Sequence, residues 1–379
     1  MTDNSMKSLS VANRRSSLSS VLRFGQNEAI TGWLMAGPAI LLIFVFLLVP
    51  FVMAFALSFT NQRLVSPNPT EFVGTHNFAR LLNIRTLTLD PIVDESTGKQ
   101  VLDAQGQFTY PPLRGFTRNN PQYPELKGLQ EWLSWSAGNS RVILLASDPV
   151  FMRALLNTII FVIVIAPGQG GLALILALLI NQRLPGINIF RTIYFMPVVV
   201  SMVVVSLLWR FIYDGNNGLL NTLLGFLSFG NFKPVDWLGN PYTAMPALMA
   251  MSIWQAVGFH MVIWLAGLQN IPSSLYEAAS IDGATRWQQF RFVTWPGLRN
   301  TAVFVLVIIT MQAFGLFTQV NVMTRGGPLD ATQSIVFQAV ERGYGKQDIA
   351  GGSAISVIFF VMVLTVSLVQ RYLTRGERA

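Results

Sequence analysis

The sequence contains no cysteine and only two histidines, His76 and His260. These absences exclude disulfide bonds and thiolate metal sites, and two histidines are too few for a histidine-built metal centre. Charged residues make up only 12% of the 379 residues, against the roughly 25% typical of soluble domains. A chain this long with so little charge cannot cover a water-exposed surface, so we predict that lipid surrounds much of it.

Motifs for nucleotide hydrolysis are also missing. No glycine-rich phosphate loop of the G-x-x-x-x-G-K-[ST] type occurs, because Gly98-Lys99 and Gly345-Lys346 lack the upstream glycine. We find no credible nucleophile and base for covalent or acid–base catalysis. The sequence therefore predicts a protein that is not an enzyme and has no cofactor of its own. Any ATP-dependent step would need a partner that binds ATP and magnesium.

Six long apolar runs are present. Each approaches the length that a helix needs to cross the hydrocarbon layer, about 20 residues, and a helix satisfies its own backbone there. None of the six contains Asp or Glu, which disfavours a secondary transporter coupled to an ion through intramembrane carboxylates. The predicted spans are Trp33–Phe59, Ala154–Ile180, Phe190–Ile212, Ala244–Leu268, Thr301–Phe317 and Gly351–Val369.

Basic residues are distributed unevenly around these spans. With the N-terminus in the cytoplasm, the cytoplasmic segments hold twelve Lys and Arg and the short external loops hold four. The positive-inside rule then predicts that both termini are cytoplasmic. The net charge of +8 is explained by this orientation, without a nucleic-acid partner. The predicted segments are a tail at 1–29, a first span at 30–60, an external loop at 61–149, a membrane core at 150–370 with a cytoplasmic loop at 270–298, and a tail at 371–379.

The loop between the fourth and fifth spans has the pattern of a surface helix–turn–helix. Ser273 or Ser274 can cap a first helix, and Ala278 and Ala279 favour helix while leaving a smooth face. Gly283 permits a sharp turn where a side chain would clash. The pattern predicts a short rigid helix suited to a socket in another protein.

This loop resembles the EAA loop of permeases of type I ATP-binding-cassette importers. The shared pattern is E-A-A, then D-G-A after two residues, then a hydrophobic–proline pair about a dozen residues on. Trp295 precedes Pro296 where leucine is usual. In that family the loop docks in a cleft of the ATPase and couples nucleotide-driven closure to opening of the pore. The resemblance implies this role for Glu277, Ala278, Ala279, Asp282, Gly283, Ala284 and Arg286.

The resemblance extends along most of the chain and is to the carbohydrate-uptake branch of these permeases. Matching pieces are Phe72-Val73-Gly74, Asn77-Phe78, Asp148-Pro149, Ala154-Leu155, Asn157-Thr158, Trp209-Arg210, Gly218–Asn221, Trp237-Leu238-Gly239, Thr324–Pro328 and Ser353–Ser356. It implies an all-α membrane protein with six transmembrane helices and an enlarged first periplasmic loop, located in the bacterial inner membrane. The implied partners are a second permease subunit, a dimer of ATPases, a periplasmic solute-binding protein, membrane lipid and a sugar.

An insertion at about residues 83–147 interrupts the resemblance. Its position matches the large external domain of the larger maltose permease subunit, so a contact with the binding protein is one hypothesis for it. A solvated insertion without a specific task is the alternative.

Polar residues inside the spans are candidates for the substrate pathway. Ser252, Gln255, Ala256 and Phe259 share one helical face by their spacing. Gln312 lies about mid-depth in the fifth span, beside Phe314. Amides and hydroxyls next to an aromatic ring suit a sugar.

Two alternatives remain for these residues and their substrate. The polar side chains could instead join helices to one another, and His260 could simply be packed or hydrogen-bonded within its helix. The same mechanism could serve a polyol, a phosphate ester or a sulfonated sugar. An anionic substrate would favour arginine in the pocket, and no arginine lies at mid-span.

Overall fold

The fold is known from a computed structural model that describes residues 31–94, 100–104, 106–118, 120–182 and 185–375. The predicted N-terminal tail at 1–29 lies outside the described residues. The predicted C-terminal tail begins inside the last helix, which reaches residue 375, and residues 376–379 lie outside the described part. The chain divides into two compact units, of which the first ends at Leu57 and the second begins at Ser58.

The described part of the first unit is one helix, α1 (Thr31–Leu57), which has a π-helical stretch at Phe44–Leu48. Its 27 residues would extend about 40 Å, which exceeds the thickness of the hydrocarbon layer. None of its residues is buried. A helix that is apolar on all sides suits lipid or the helices of another subunit.

The first regular elements of the second unit are helix α2 (His76–Leu82) and a small antiparallel sheet in the insertion, whose fold the sequence had left open. The strands β1 (Ile84–Leu89), β2 (Gln130–Ala137) and β3 (Ser140–Ala146) pair in the order β1-β3-β2. Short helical turns lie between β1 and β2, at Arg114–Thr117 and Pro124–Leu126. The insertion has its own apolar core, formed by Leu87, Leu89, Leu126, Leu129, Ile143 and Leu145.

A series of helices follows the sheet directly. They are α3 (Pro149–Ile180), α4 (Ile187–Val199), α5 (Met202–Ile212), α6 (Leu219–Leu227), α7 (Pro241–Gln269), α8 (Ser273–Ile281), α9 (Arg286–Gly297), α10 (Arg299–Phe314), α11 (Ile335–Val340) and α12 (Ile349–Arg375). Helix α9 contains a π-helical stretch at Phe290–Thr294, and two others lie at Val320–Thr324 and Glu341–Gly345. In the described residues, α1, α3, α7 and α12 are long and apolar enough to cross a membrane.

The remaining two spans are bent pairs of helices, and counting each pair as one span gives the predicted six. Helices α4 and α5 meet at 100°, so the prediction of a continuous helix over Phe190–Ile212 was wrong. Pro197 cannot donate a backbone hydrogen bond, and the valines that follow it have low helix propensity. Helices α9 and α10 meet at 66°. Helix α10 ends at Phe314 and not at Phe317, because the chain turns at Gly315.

Helices α3 and α7 pack together at the centre of the main apolar core. The indole nitrogen of Trp264 in α7 donates a 3.1 Å hydrogen bond to the carbonyl of Gly170 in α3. On another side of α7, a Cβ at Gly258 would overlap the carbonyl of Tyr194 in α4. Glycine at this position therefore allows the backbones of α4 and α7 to approach closely.

Four charged side chains form a network at the start of α3. Asp148 caps α3 by accepting a 3.0 Å hydrogen bond from the amide of Phe151, and it also pairs with Arg342. Asp348 pairs with Arg80 at 3.2 Å and lies 4.0 Å from Arg342 Nε. The network therefore joins α2, α3 and the start of α12. Helices α2 and α3 lie directly before and after the insertion in the sequence.

We expect Asp148→Ala to lower the thermal stability of the purified protein. The change removes a helix cap and leaves Arg342 without its main partner, and these side chains are only 11% and 12% exposed. Loss of one partner of a buried pair costs about 3–5 kcal/mol. The matched control is Glu131→Ala, which breaks a pair with Arg141 whose side chains are 37% and 38% exposed. Equal melting temperatures for the two variants would contradict the assigned role.

Candidate functional site

A cavity of about 270 Å³ lies mainly between α3, α7 and α10 of the second unit, and Val198 of α4 and Met202 of α5 also line it. Its wall is a mixture of polar and apolar side chains, with the rings of Phe161 and Phe259 on the apolar side. The polar side chains of the wall are Gln169, Ser252, Gln255, Gln312, Thr318 and Gln319.

The structure brings five of the six predicted pathway residues to this cavity. They are Ser252, Gln255, Ala256, Phe259 and Gln312. Phe314, the sixth, is 3% exposed and packs its ring against Phe359 of α12, at 6.2 Å between centroids. Contact of these residues with a substrate stays a prediction, but their shared position is what a binding site requires.

The cavity wall is electrically neutral. Among the described residues that line it, there is no Asp, Glu, Lys or Arg. The hydroxyl of Ser252 is buried and makes no hydrogen bond within the described part of the chain. A buried hydroxyl without a partner costs about 1–3 kcal/mol. A ligand that carries hydroxyl groups would supply the missing partner.

The hydrogen bonds bear on the alternative that these residues join helices. A hydrogen bond that does link two helices is the one from Gln370 of α12, whose amide donates to the hydroxyl of Thr310 in α10 at 2.9 Å. Neither the Gln255 amide nor the Gln312 amide makes a hydrogen bond in the described part of the chain. Their amides are therefore available in the cavity, which favours the pocket over the joining role.

Gln169 and Gln319 also line the cavity and were not predicted as site residues. Gln169 lies among glycines in α3, and Gln319 lies beyond the end of α10. Neither shares a short-range pattern with the predicted face of α7. Only the packing of segments that are distant in sequence brings these residues together.

The second candidate site is the elbow, our name for α8, the turn after it and α9 (residues 273–297). Gly283 ends α8 with a φ of +77°. The amide of Gly283 donates to the Ser280 carbonyl at 3.1 Å, and the amide of Ala284 donates to the Ala279 carbonyl at 2.9 Å. This is the Schellman arrangement, which strongly favours glycine at the left-handed position.

The ends of the two elbow helices are capped differently from the prediction. Pro272 occupies the N-cap position of α8, and neither Ser273 nor Ser274 caps the helix, so that expectation was wrong. Proline fixes the backbone entry without a side-chain hydrogen bond. Helix α9 instead has a capping box, in which Thr285 and Gln288 each bond the other's backbone amide.

Two side-chain hydrogen bonds tie the elbow helices together. The hydroxyl of Tyr276 in α8 lies 3.0 Å from the hydroxyl of Thr294 in α9, and Gln289 donates to Ser280 at 3.0 Å. Thr294 is buried. The two helices are therefore braced at two points and form a stiff unit, although neither pair was anticipated.

The outer surface of the elbow is open. Glu277, Asp282 and Arg286 are exposed and make no side-chain hydrogen bond or ion pair with other described residues. Ala278 is exposed, and Ala279 and Ala284 are half-buried. Large apolar side chains are exposed beside them, and these are Leu275, Ile281 and Trp287. A projecting surface of apolar and unpaired charged groups is typical of a protein-docking site.

Comparison with known proteins identifies the class. Residues 169–379 match the family of binding-protein-dependent transport system inner membrane components. This match spans more than half of the chain, and it includes the cavity residues of α7 and α10 and the whole elbow. The chain belongs to this family, as predicted, and it is a multi-pass membrane permease.

Its relatives include named transport proteins. It is 35% identical over 234 residues to a probable ABC transporter permease of Pyrococcus horikoshii, an alignment that covers 62% of this chain and 80% of that protein. It is 37% identical to the trehalose/maltose transport system permease of Thermococcus litoralis, with 55% and 69% covered. It is 33% identical to the lactose transport system permease of Rhizobium radiobacter, with 64% and 82% covered.

A solved structure supports the fold. The chain superposes with a TM-score of 0.56 and 24% identity on a bacterial ABC transporter involved in the import of the acidic polysaccharide alginate. The superposition covers 61% of this chain and 80% of that one. It places this chain in the type I importer permease fold.

Proposed function

We propose that this chain is the translocation subunit of an importer that moves a neutral sugar into the cytoplasm. The observation that carries the proposal is the uncharged cavity wall of amides, hydroxyls and two phenylalanine rings. Sugars present hydroxyl groups and an apolar C–H face, and this wall offers a match to both. Relatives named for maltose, trehalose and lactose transport agree with it.

Energy would come from a separate ATPase dimer, which would bind ATP and magnesium and hold the elbow in a cleft. The exposed surface around Glu277 and Asp282 supports this docking role. With both termini in the cytoplasm, the elbow faces the ATPase. ATP binding would shift the population between inward-open and outward-open states.

Two further partners complete the proposed complex. A second permease subunit would form a heterodimer with this chain and cover part of its lipid-facing surface. A periplasmic binding protein would deliver the sugar, and the insertion at 83–147, which has a core of its own, is a candidate contact for it.

The charge of the cavity separates the neutral-sugar proposal from the alternatives that carry phosphate or sulfonate. We expect the reconstituted complex to transport a neutral disaccharide more than about tenfold faster than the same sugar with one CH₂OH oxidised to a carboxylate. The reason is that an unpaired buried charge costs several kcal/mol. Both sugars are supplied on saturated binding protein, and uptake into proteoliposomes is measured. Equal uptake of the two sugars would refute a neutral-sugar site.

A further inference from the structure

Two buried polar side chains from different helices meet beside the cavity. Gln169 of α3 is 3% exposed and His260 of α7 is fully buried. The amide nitrogen Nε2 of Gln169 lies 2.8 Å from His260 Nδ1, and the same Nδ1 lies 2.9 Å from the carbonyl oxygen of Ala256. Gln169 and Ala256 line the cavity, whereas His260 is outside its wall and contacts both.

The Ala256 carbonyl determines which nitrogen of His260 carries the proton. A carbonyl oxygen only accepts, so an unprotonated Nδ1 at this distance would bring two lone pairs together. A proton on Nδ1 converts the contact into a hydrogen bond. It also leaves Nε2, which has no partner among the described residues, as a bare acceptor. The other tautomer would bury an N–H donor without a partner, which is the rarer situation in proteins.

This tautomer in turn orients the Gln169 amide. The single Nδ1–H is then shared between the Ala256 carbonyl and Gln169, and an NH₂ group facing it would bring two donors together. We therefore exchange the two amide atoms and assign the oxygen to the position that faces Nδ1. Oxygen and nitrogen of an amide are nearly identical in shape, so the 2.8 Å contact accommodates either orientation. With the oxygen held by His260, the NH₂ group of Gln169 is directed to the cavity.

We propose that Gln169 is a substrate-contacting residue and that His260 is the positioning residue that fixes its amide. The NH₂ group would donate to a hydroxyl or ring oxygen of the sugar, so this proposal rests on the proposed function. It adds α3 to the helices that recognise substrate, beside α7 with Ser252 and Gln255 and α10 with Gln312. A donor held in advance costs less entropy on binding than a free glutamine side chain.

The tautomer can be measured directly, because the chain has only two histidines. In the full chain with His76→Gln, reconstituted in lipid nanodiscs and labelled with ¹⁵N-histidine, His260 gives the only histidine signal. We expect the proton on Nδ1, and we expect Gln169→Leu to shift that Nδ1–H resonance. A proton on Nε2 would overturn the proposed orientation of the amide, whatever the transported solute is.

Transport by the complete complex tests the contact with substrate. The probes are maltose, lactose and diacetylchitobiose, each loaded on the binding protein. We expect Gln169→Leu to lower the sugar moved per ATP hydrolysed about three- to tenfold while ATP hydrolysis itself is retained, as for one lost hydrogen bond. Gln169→Glu should be as defective, because it still accepts from Nδ1–H but has no NH₂ group.

Variants of His260 separate positioning from packing. His260→Phe should reproduce the defect of Gln169→Leu, and the double variant should be no worse than either single one. His260→Asn places an amide N–H near the former Nδ1 and should restore transport. The matched control is Gln370→Leu, which removes an interhelical hydrogen bond to Thr310 away from the cavity and should leave the ratio unchanged.

Two outcomes would contradict these assignments, and a third would contradict the proposed function. Normal coupling in Gln169→Glu would show that the NH₂ group is not used, and normal coupling in His260→Phe beside a defective Gln169→Leu would remove the positioning role. If none of the three sugars stimulates the unaltered complex, the carbohydrate proposal fails, and the isotope experiment still decides the arrangement of His260 and Gln169.

Discussion

Replacement of Gly283 by tryptophan is expected to abolish most sugar-stimulated ATP hydrolysis and uptake while leaving membrane insertion intact. A side chain in the left-handed region costs about 1–2 kcal/mol, a cost that Gly186→Trp shares, so the specific effect at Gly283 comes from the bulk of the indole on the docking surface. Gly283 has a φ of +77°, and apart from its own chain neighbours no described residue has an atom within 4 Å of a Cβ built there. The space next to this Cβ is therefore open, and the indole would project from the elbow towards the surface that the ATPase would occupy.

Two glycine variants serve as controls for this experiment. Gly283→Asn should retain most activity, because asparagine tolerates positive φ. Gly186→Trp places the same side chain at a φ of +81° in equally open surroundings, between α3 and α4, and should also be active.

Since the chain has no cysteine, Ser274→Cys can report from which side the elbow is labelled. Normal stimulated hydrolysis in Gly283→Trp, or labelling from the periplasm, would disprove the coupling role.

The second large effect is expected at the cavity. We expect Gln255→Ala and Gln312→Ala each to reduce sugar uptake about tenfold, because each removes an amide that would hydrogen-bond the sugar. Both side chains line the same cavity, so the effect of the double variant need not equal the product of the single effects. ATP hydrolysis should continue, in contrast to Gly283→Trp, and the measurement is the ratio of sugar imported to ATP consumed.

The control for this pair is Ser356→Ala in α12. Its hydroxyl bonds the carbonyl of Gly352 in its own helix at 3.0 Å, and the residue does not line the cavity. It should transport normally. Unchanged uptake in both glutamine variants would assign Gln255 and Gln312 to structural roles. It would also remove the support that these amides give to substrate binding in the cavity.

Local patterns account for what could be predicted. Long apolar runs require helices in lipid, so the number of spans followed from hydropathy, and the face of α7 followed from helical spacing. Gly283 was recognisable because few residues other than glycine adopt its conformation easily. The hairpin of β2 and β3 also had a local signal that was overlooked, the Gly138–Asn139 turn between two strand-like runs rich in Trp, Leu, Val and Ile.

Long-range packing accounts for what could not be predicted. The partners Gln169 and His260 are 91 positions apart in sequence, and no periodic pattern joins them. The braces of the elbow, such as Tyr276 with Thr294, depend on the angle at which α8 and α9 fold back. The break between α4 and α5 was missed because hydropathy reports the length and composition of an apolar run and not the path of its backbone. A bend of 100° changes neither composition nor length.

The bracing of α8 on α9 has a consequence for movement. A rotation applied to the elbow would be passed to α10, which begins two residues after α9 ends. The 14 residues from Arg299 to Gln312 give α10 a lever arm of about 20 Å between its first residue and Gln312, at 1.5 Å per residue. A swing of about 10° would then displace Gln312 by about 3.5 Å, which exceeds the length of a hydrogen bond. A small rotation of the elbow would thus be enough to break a hydrogen bond between Gln312 and a bound substrate.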